Sequence, residues 1–223
     1  MNVKNKFKLS SLALASAMAM GAMSMPTVAS AEVSSSATLS SMYLWRGQDV
    51  STGKPTLSGD ITYKHDSGAY AFGWLSSEGS NSYEADFGVG YAGKMGSVGY
   101  DVSYYKYWYP TTNTGGKTGQ SFSEAGAEYV IGLTFEPVTF KAFLDATNPI
   151  DYTYFTLSGS VGKFGLTYGF HNPKASGKEY SHLDITYSAT DKLSFTLSNP
   201  MSVGSGKPID KDPLMMMSYS LPI

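Results

Sequence analysis

From Glu32 onward the chain alternates apolar and polar residues with period two, the pattern of strands that show different faces to two environments. In Leu57, Gly59, Ile61 and Tyr63 one parity is apolar, while Ser58, Asp60, Thr62 and Lys64 on the other are polar. Tyr83, Ala85, Phe87, Val89 and Tyr91 oppose Glu84, Asp86, Gly88 and Gly90 in the same way. Phe164, Leu166, Tyr168 and Phe170 oppose Gly165, Thr167, Gly169 and His171, and the last segment keeps Met215, Met217, Tyr219 and Leu221 on one face. Twelve such segments are predicted, near 37–46, 56–65, 69–76, 83–92, 98–108, 123–135, 138–146, 152–161, 164–171, 181–190, 193–198 and 214–223. The apolar parity is expected to carry no charge.

The links between segments alternate as well. Short turns fall at Asp66-Ser67-Gly68, Gly93 to Gly96, Glu136-Pro137, Gly162-Lys163 and Asp191-Lys192, with longer links at 47–55, 77–82, 109–122, 147–151, 172–180 and 199–213. Transmembrane β-barrels have this rhythm, an even strand number and strands of roughly 9–11 residues. The predicted fold class is therefore all-β, a transmembrane antiparallel β-barrel of about twelve strands. A soluble barrel or sandwich would turn the apolar parity inward instead. Three features favour lipid outside: aromatics near strand ends (Tyr43, Trp45, Tyr63, Tyr70, Trp74, Tyr83, Tyr91), a polar parity rich in Gly, Ser and Thr, and the long-short rhythm itself.

The first 31 residues read as a cleaved signal peptide, with residues 32–223 as the barrel domain. Lys4, Lys6 and Lys8 form a positive start, Leu9 to Met25 carry no charge, and Ala29-Ser30-Ala31 is an A-x-A processing site. Removing that segment takes the net charge from −2 to −5, since three lysines leave. Charged residues are only 15% of the chain, cysteine is absent, and there are 24 glycines and 17 tyrosines. The missing cysteine excludes a disulfide framework and a thiolate metal site. No basic footprint for nucleic acid is present.

If the polar parity faces inward, the lumen holds Arg46, Lys64 and Lys141 against Asp60, Glu84, Asp86, Asp101, Glu124, Glu128, Asp145 and Asp184, with His182 beside them. Three positive and eight negative groups favour cations over anions in any water path. Inward Gly88, Gly90, Gly99, Gly126, Gly165 and Gly169 leave space, while inward Leu44, Leu75, Tyr105, Phe143 and Tyr154 fill it. Arg46, the single arginine, pairs with an acidic neighbour or else contacts a carboxylate or phosphate solute. The run Tyr104, Tyr105, Tyr107, Trp108 and Tyr109 is read as an interfacial girdle, or as a stacking platform at the mouth.

The stretch Thr38 to Ser76 carries a resemblance, through Tyr43, Arg46, Gly47, Pro55, Gly59, Tyr63, Gly68, Tyr70, Trp74 and Ser76. It resembles the opening of the TorF-type porins of proteobacteria, the Gcw_chp family. That resemblance implies an outer-membrane location and a pore, and it names no substrate.

An enzyme in the barrel wall is the rival class, because His182 and Asp184 share a face with Ser181 and Ser188 nearby. Serine is too common here for that signal to be specific, and no enzymatic activity is expected. His65 and His171 have no partner at metal-ligand spacing, Asp210 and Asp212 read as a solvated loop, and no motif points to a cofactor. The expected function is a narrow, cation-preferring passive channel, with outer-membrane lipid and small hydrophilic solutes as its partners and no soluble partner identified. The alternative is a non-conducting structural or binding barrel of the outer membrane.

Overall fold

The computed structural model describes residues 31–77, 83–110, 119, 121–147, 152–173, 179–203 and 210–223. The expected signal peptide lies outside the described residues except for Ala31. Fourteen strands are present among them: β1 Glu32–Ser40, β2 Leu44–Trp45, β3 Gln48–Asp49, β4 Thr56–Lys64, β5 Ala69–Ser77, β6 Tyr83–Met95, β7 Val98–Trp108, β8 Gly126–Phe135, β9 Val138–Asp145, β10 Tyr152–Val161, β11 Phe164–Pro173, β12 Tyr180–Ser188, β13 Leu193–Val203 and β14 Leu214–Ser220. Twelve of them close a barrel in which every strand is antiparallel to both neighbours. β1 completes the ring by pairing with β4 along its whole length and with β14 from Thr38↔Ser220 to Ser40↔Ser218. The remaining two strands, β2 and β3, pair only with each other.

Period-two side chains sort to the two faces of the wall. Leu57, Ile61, Phe87, Val89, Met215 and Met217 are exposed outside, while Glu84, Asp86, Met216 and Ser218 are buried inside. That distribution is the inverse of a water-soluble barrel, in which the apolar column would be the buried one.

Two assignments of side need correction. Tyr70 and Trp74 were expected outside and Leu75 inside, but Tyr70 is buried together with Phe72, and Leu75 is 55% exposed. Both parities of Ala69–Ser77 are apolar or small, so hydropathy cannot choose between them. The neighbouring strand decides. Phe72 pairs with Gly88 and Tyr70 with Gly90 across β5–β6, and each ring occupies the space a Cβ would take. The inward glycines at 88, 90 and 169 therefore hold aromatic and imidazole rings rather than open water. Phe72 and Tyr105 meet edge to face at 4.9 Å, inside a buried cluster with Tyr70, Val130, Phe143 and Tyr154. Tyr105, Phe143 and Tyr154 face inward, as expected.

The second correction concerns the charge-free outer column. Lys106 shares the outer column of β7, with Phe87 and Ala127 as its register partners. Its Nζ lies 4.5 Å from the Phe122 ring, and Phe122 in turn meets Phe87 and Trp108 edge-on at 5.8 Å each. A cation on an apolar wall is tolerated where aromatic faces receive it. Phe122 belongs to a single 3-10 turn, Phe122–Glu124, where a strand beginning near 123 was expected. Ser121 closes that turn, donating from Oγ (2.7 Å) and its backbone N–H (3.1 Å) to Glu124 Oε2. Those bonds, the hydroxyl's foremost, hold the Glu124 carboxyl below its ordinary range.

The aromatic–glycine pairing predicts a graded response. Gly88→Ala forces Phe72 aside, costing about 1–3 kcal/mol as overpacking, whereas Gly126→Ala meets open space and is near neutral. Urea unfolding of the two variants in detergent micelles, followed by tryptophan fluorescence, checks the difference.

Candidate functional site

Residues 41–55 were expected to finish the first strand and form a loop. Instead β1 ends at Ser40, and the segment makes the small hairpin of β2 and β3. Its turn is Arg46-Gly47, with Trp45↔Gln48 as the closing pair. A two-residue type I′ turn needs positive φ at both central positions, and here Arg46 has φ 49° and Gly47 has φ 80°. Glycine adopts that backbone freely, but at arginine it costs about 1–2 kcal/mol. Behind the turn, Asp49 Oδ1 accepts from the Ser51 N–H (2.9 Å) and hydroxyl (2.8 Å), while the Tyr43 N–H donates to Ser51 Oγ at 2.8 Å.

The hairpin's partners show where it sits. Tyr43 reaches Glu84 on β6, Trp45 meets His171 on β11, and Arg46 reaches Glu128 on β8. Gln48 donates to the Tyr180 hydroxyl of β12, which itself donates to the Arg46 carbonyl at 2.9 Å. Gly47 packs so closely on His182 that an added Cβ would lie 2.5 Å from its Cγ. Contacts to β6 and β12, on opposite sides of the ring, and to β8 and β11 between them place the hairpin in the barrel interior. Glu84, Glu128, Tyr154, His171 and Tyr180 sit where their strands join the longer links, so it fills that mouth.

Arg46 is the centre of this arrangement. Its Nη1 and Nη2 donate to Glu128 Oε1 and Oε2 at 3.0 and 2.6 Å, with both side chains buried. A buried bidentate pair of this kind is strong only when the remaining donors and acceptors are also satisfied. Tyr107 supplies one more bond, donating to Glu128 Oε2 at 2.6 Å. Of the two readings for Arg46, the ion pair is the one observed.

Glu84, Asp101 and Asp60 meet hydroxyl donors as well. Glu84 accepts from Tyr43 and Tyr109 at 2.7 Å each. Asp101 accepts from Tyr70 and Ser103, and Asp60 from Ser36. Burial, reinforced by the Glu84 carboxylate, pushes the Tyr43 hydroxyl well above its ordinary range, which keeps it a donor. Asp86 is fully buried on the inner column of β6. Lys141 and Asp101 flank Gly132, and Lys64 pairs in register with Tyr70. Asp145 stands opposite Glu128 in register and accepts the Thr147 N–H at 2.7 Å, closing the end of β9. Glu124 alone leaves the set, because its capped turn is exposed and lies before β8 begins.

His182 and Asp184 do come together, Nδ1 to Oδ1 at 2.8 Å. The hydroxyl at His182 Nε2, 2.9 Å away, is that of Tyr154, and Ser198 Oγ donates to Asp184 at 2.6 Å. The imidazole is thereby fixed with Nδ1 toward the acid and Nε2 toward the Tyr154 hydroxyl, buried under the hairpin. Sequence reasoning placed Tyr43 among the outer aromatics and Tyr107 and Tyr109 in a girdle or stacking platform, and it passed over Tyr180, Gln48 and Ser198. Tyr180 fell in the expected 172–180 link, and nothing local marked the carboxylate and hairpin partners of these phenols.

A family profile described as a bacterial protein of unknown function (Gcw_chp) matches residues 25–173, more than half of the chain. The match spans the hairpin and the strands that bind Arg46. No curated protein matches the chain.

The Arg46–Glu128 pair predicts non-additive behaviour. Arg46→Ala leaves a buried carboxylate uncompensated and costs about 3–5 kcal/mol, and adding Glu128→Gln recovers part of that loss. Urea midpoints of the two variants in micelles, compared with wild type, measure the coupling.

Proposed function

The chain belongs to the Gcw_chp family of bacterial proteins, and from its geometry we propose that it is an outer-membrane barrel acting as a narrow, porin-type passage for small hydrophilic cations. The observation that carries the membrane part is the inverted wall, with Leu57, Ile61, Val89, Leu157, Leu166 and Met215 exposed on it. Such a surface is unfavourable in water by roughly 25 cal/mol for each Å² of apolar area. Against hydrocarbon the penalty vanishes, and ring closure leaves no unpaired strand edge to be buried there. The positive start and the Ala29-Ser30-Ala31 site support export through a cleaved signal peptide.

The passage reading is supported by an acid-rich inner column that the hairpin narrows rather than a strand. Glu84, Asp86, Asp101, Glu128 and Asp184 outnumber the inward cations Arg46, Lys64 and Lys141. A second reading, a non-conducting barrel, is favoured by the packed interior, where the hairpin and the aromatic cluster fill the lumen and tyrosines satisfy the acids. The two differ in whether the hairpin is a fixed core or a movable constriction.

Planar-bilayer recording separates them. Wild type is expected to give small, cation-selective openings, and replacing residues 44–49 with a Gly-Ser linker is expected to raise the conductance several-fold. Silence from both folded proteins, or a reversal potential on the anion side, refutes the passage. Recovery of the exported protein in the inner-membrane or soluble fraction refutes the location.

A further inference from the structure

The group that Arg46 occupies belongs to the wall, not to the hairpin. Glu128 on β8 offers both carboxylate oxygens to the guanidinium fork at 3.0 and 2.6 Å. Phe143 on β9 and Tyr154 on β10 are register partners, and their ring centroids lie 4.9 and 4.5 Å from Arg46 Cζ. Tyr107 on β7 holds the Glu128 carboxylate from outside the hairpin, at 2.6 Å. Only Trp45, at 4.7 Å, arrives with the arginine itself. Adjacent strands thus set a carboxylate and two aromatic rings around a planar cation.

That chemistry selects a guanidinium over an ammonium. The fork matches a carboxylate through two parallel bonds, and the flat delocalised cation stacks on rings while being weakly hydrated. Aromatic faces add cation–π attraction, which grows as water is excluded. Arg46 meanwhile binds from a left-handed backbone, φ 49°, a conformation that weakens its hold relative to an unstrained ligand.

We infer that Glu128, Phe143 and Tyr154 form a guanidinium-binding site of the barrel wall, filled in this structure by Arg46 as an internal ligand. A small guanidinium-bearing solute competes for it, displacing the hairpin from the mouth. This deepens the passage reading by naming the cation class, and it rests on that reading only for the solute's route to the site.

Rescue of a vacated site tests the inference without any measurement of current. Arg46→Ala is refolded into detergent micelles in millimolar methylguanidinium chloride or methylammonium chloride, and its folded fraction is followed in urea. Methylguanidinium at roughly ten times its Kd is expected to raise the folded-to-unfolded ratio about tenfold. Wild type and the Arg46→Ala/Glu128→Gln variant are expected to show no such rise. Where Arg46→Ala does not fold in sodium chloride alone, its folded yield in methylguanidinium supplies the same comparison. No rescue, equal rescue by methylammonium, or equal rescue of the double variant overturns the site. A barrel that binds methylguanidinium yet passes no current refutes the passage and leaves the site standing, whereas current without rescue does the reverse.

Discussion

Closure of β1 onto β14 is the constraint from which the rest of this structure follows. Once the ladder is closed, every strand has a neighbour on both sides, and backbone groups within the wall find partners there. The period of two then leaves each side chain only two destinations, outside or inside. The outside is apolar and continuous. The inside must accommodate carboxylates, imidazoles and phenols in a confined volume, where an unsatisfied polar group costs about 1–3 kcal/mol. Tyrosine answers that requirement repeatedly, filling space with its ring while its hydroxyl donates to an acid. Tyr70 does so to Asp101, Tyr107 to Glu128, and both Tyr43 and Tyr109 to Glu84.

Volume is managed by the same economy of parts. Gly88, Gly90 and Gly169 face inward, where rings of Phe72, Tyr70 and His182 take up the space their side chains lack. At the mouth the wall alone does not fill the interior, and the segment after β1 turns in to do so. Its turn strains Arg46, and the bidentate bond to Glu128 with rings on several sides offsets the strain. The bidentate ion pair in the mouth is thus also a contact that keeps the hairpin seated. In the proposed passage, stability and permeation are coupled through it.

The functional proposals inherit that coupling. A lumen lined by many acids is a cation path only as far as those acids are not already spoken for. Here tyrosines, one arginine and one histidine occupy most of them at the mouth, so the electrostatic preference sits behind a constriction made of hydrogen bonds and packing. The wall beneath Arg46 holds the planar cation that the hairpin supplies, and the inferred site would take one from a solute by the same contacts.

The number of barrel strands and the apolar outer face of the wall were legible in the sequence, because each depends on a local period that neighbours cannot change. Eleven of the twelve predicted charged or histidine lumen candidates lie on the wall or in the hairpin within it; Glu124 does not. Its misplacement and the overextended end of the first strand, expected to reach 46 and ending at Ser40, have a common origin, since Ser121 with Glu124 and Arg46 with Gly47 make turns whose residues also fit an alternating pattern. The side of β5 was not legible, because Tyr70, Phe72 and Trp74 are apolar on a strand whose other parity is also apolar, and glycines on β6 chose for it. The pairing of Arg46 with Glu128, 82 positions apart, was legible only as an arginine among acids. The sequence alone determined that twelve alternating strands form the wall, since that is a matter of period along one strand. Which residues fill the lumen and meet there was decided by closure in three dimensions, where distant strands face one another across a shared interior.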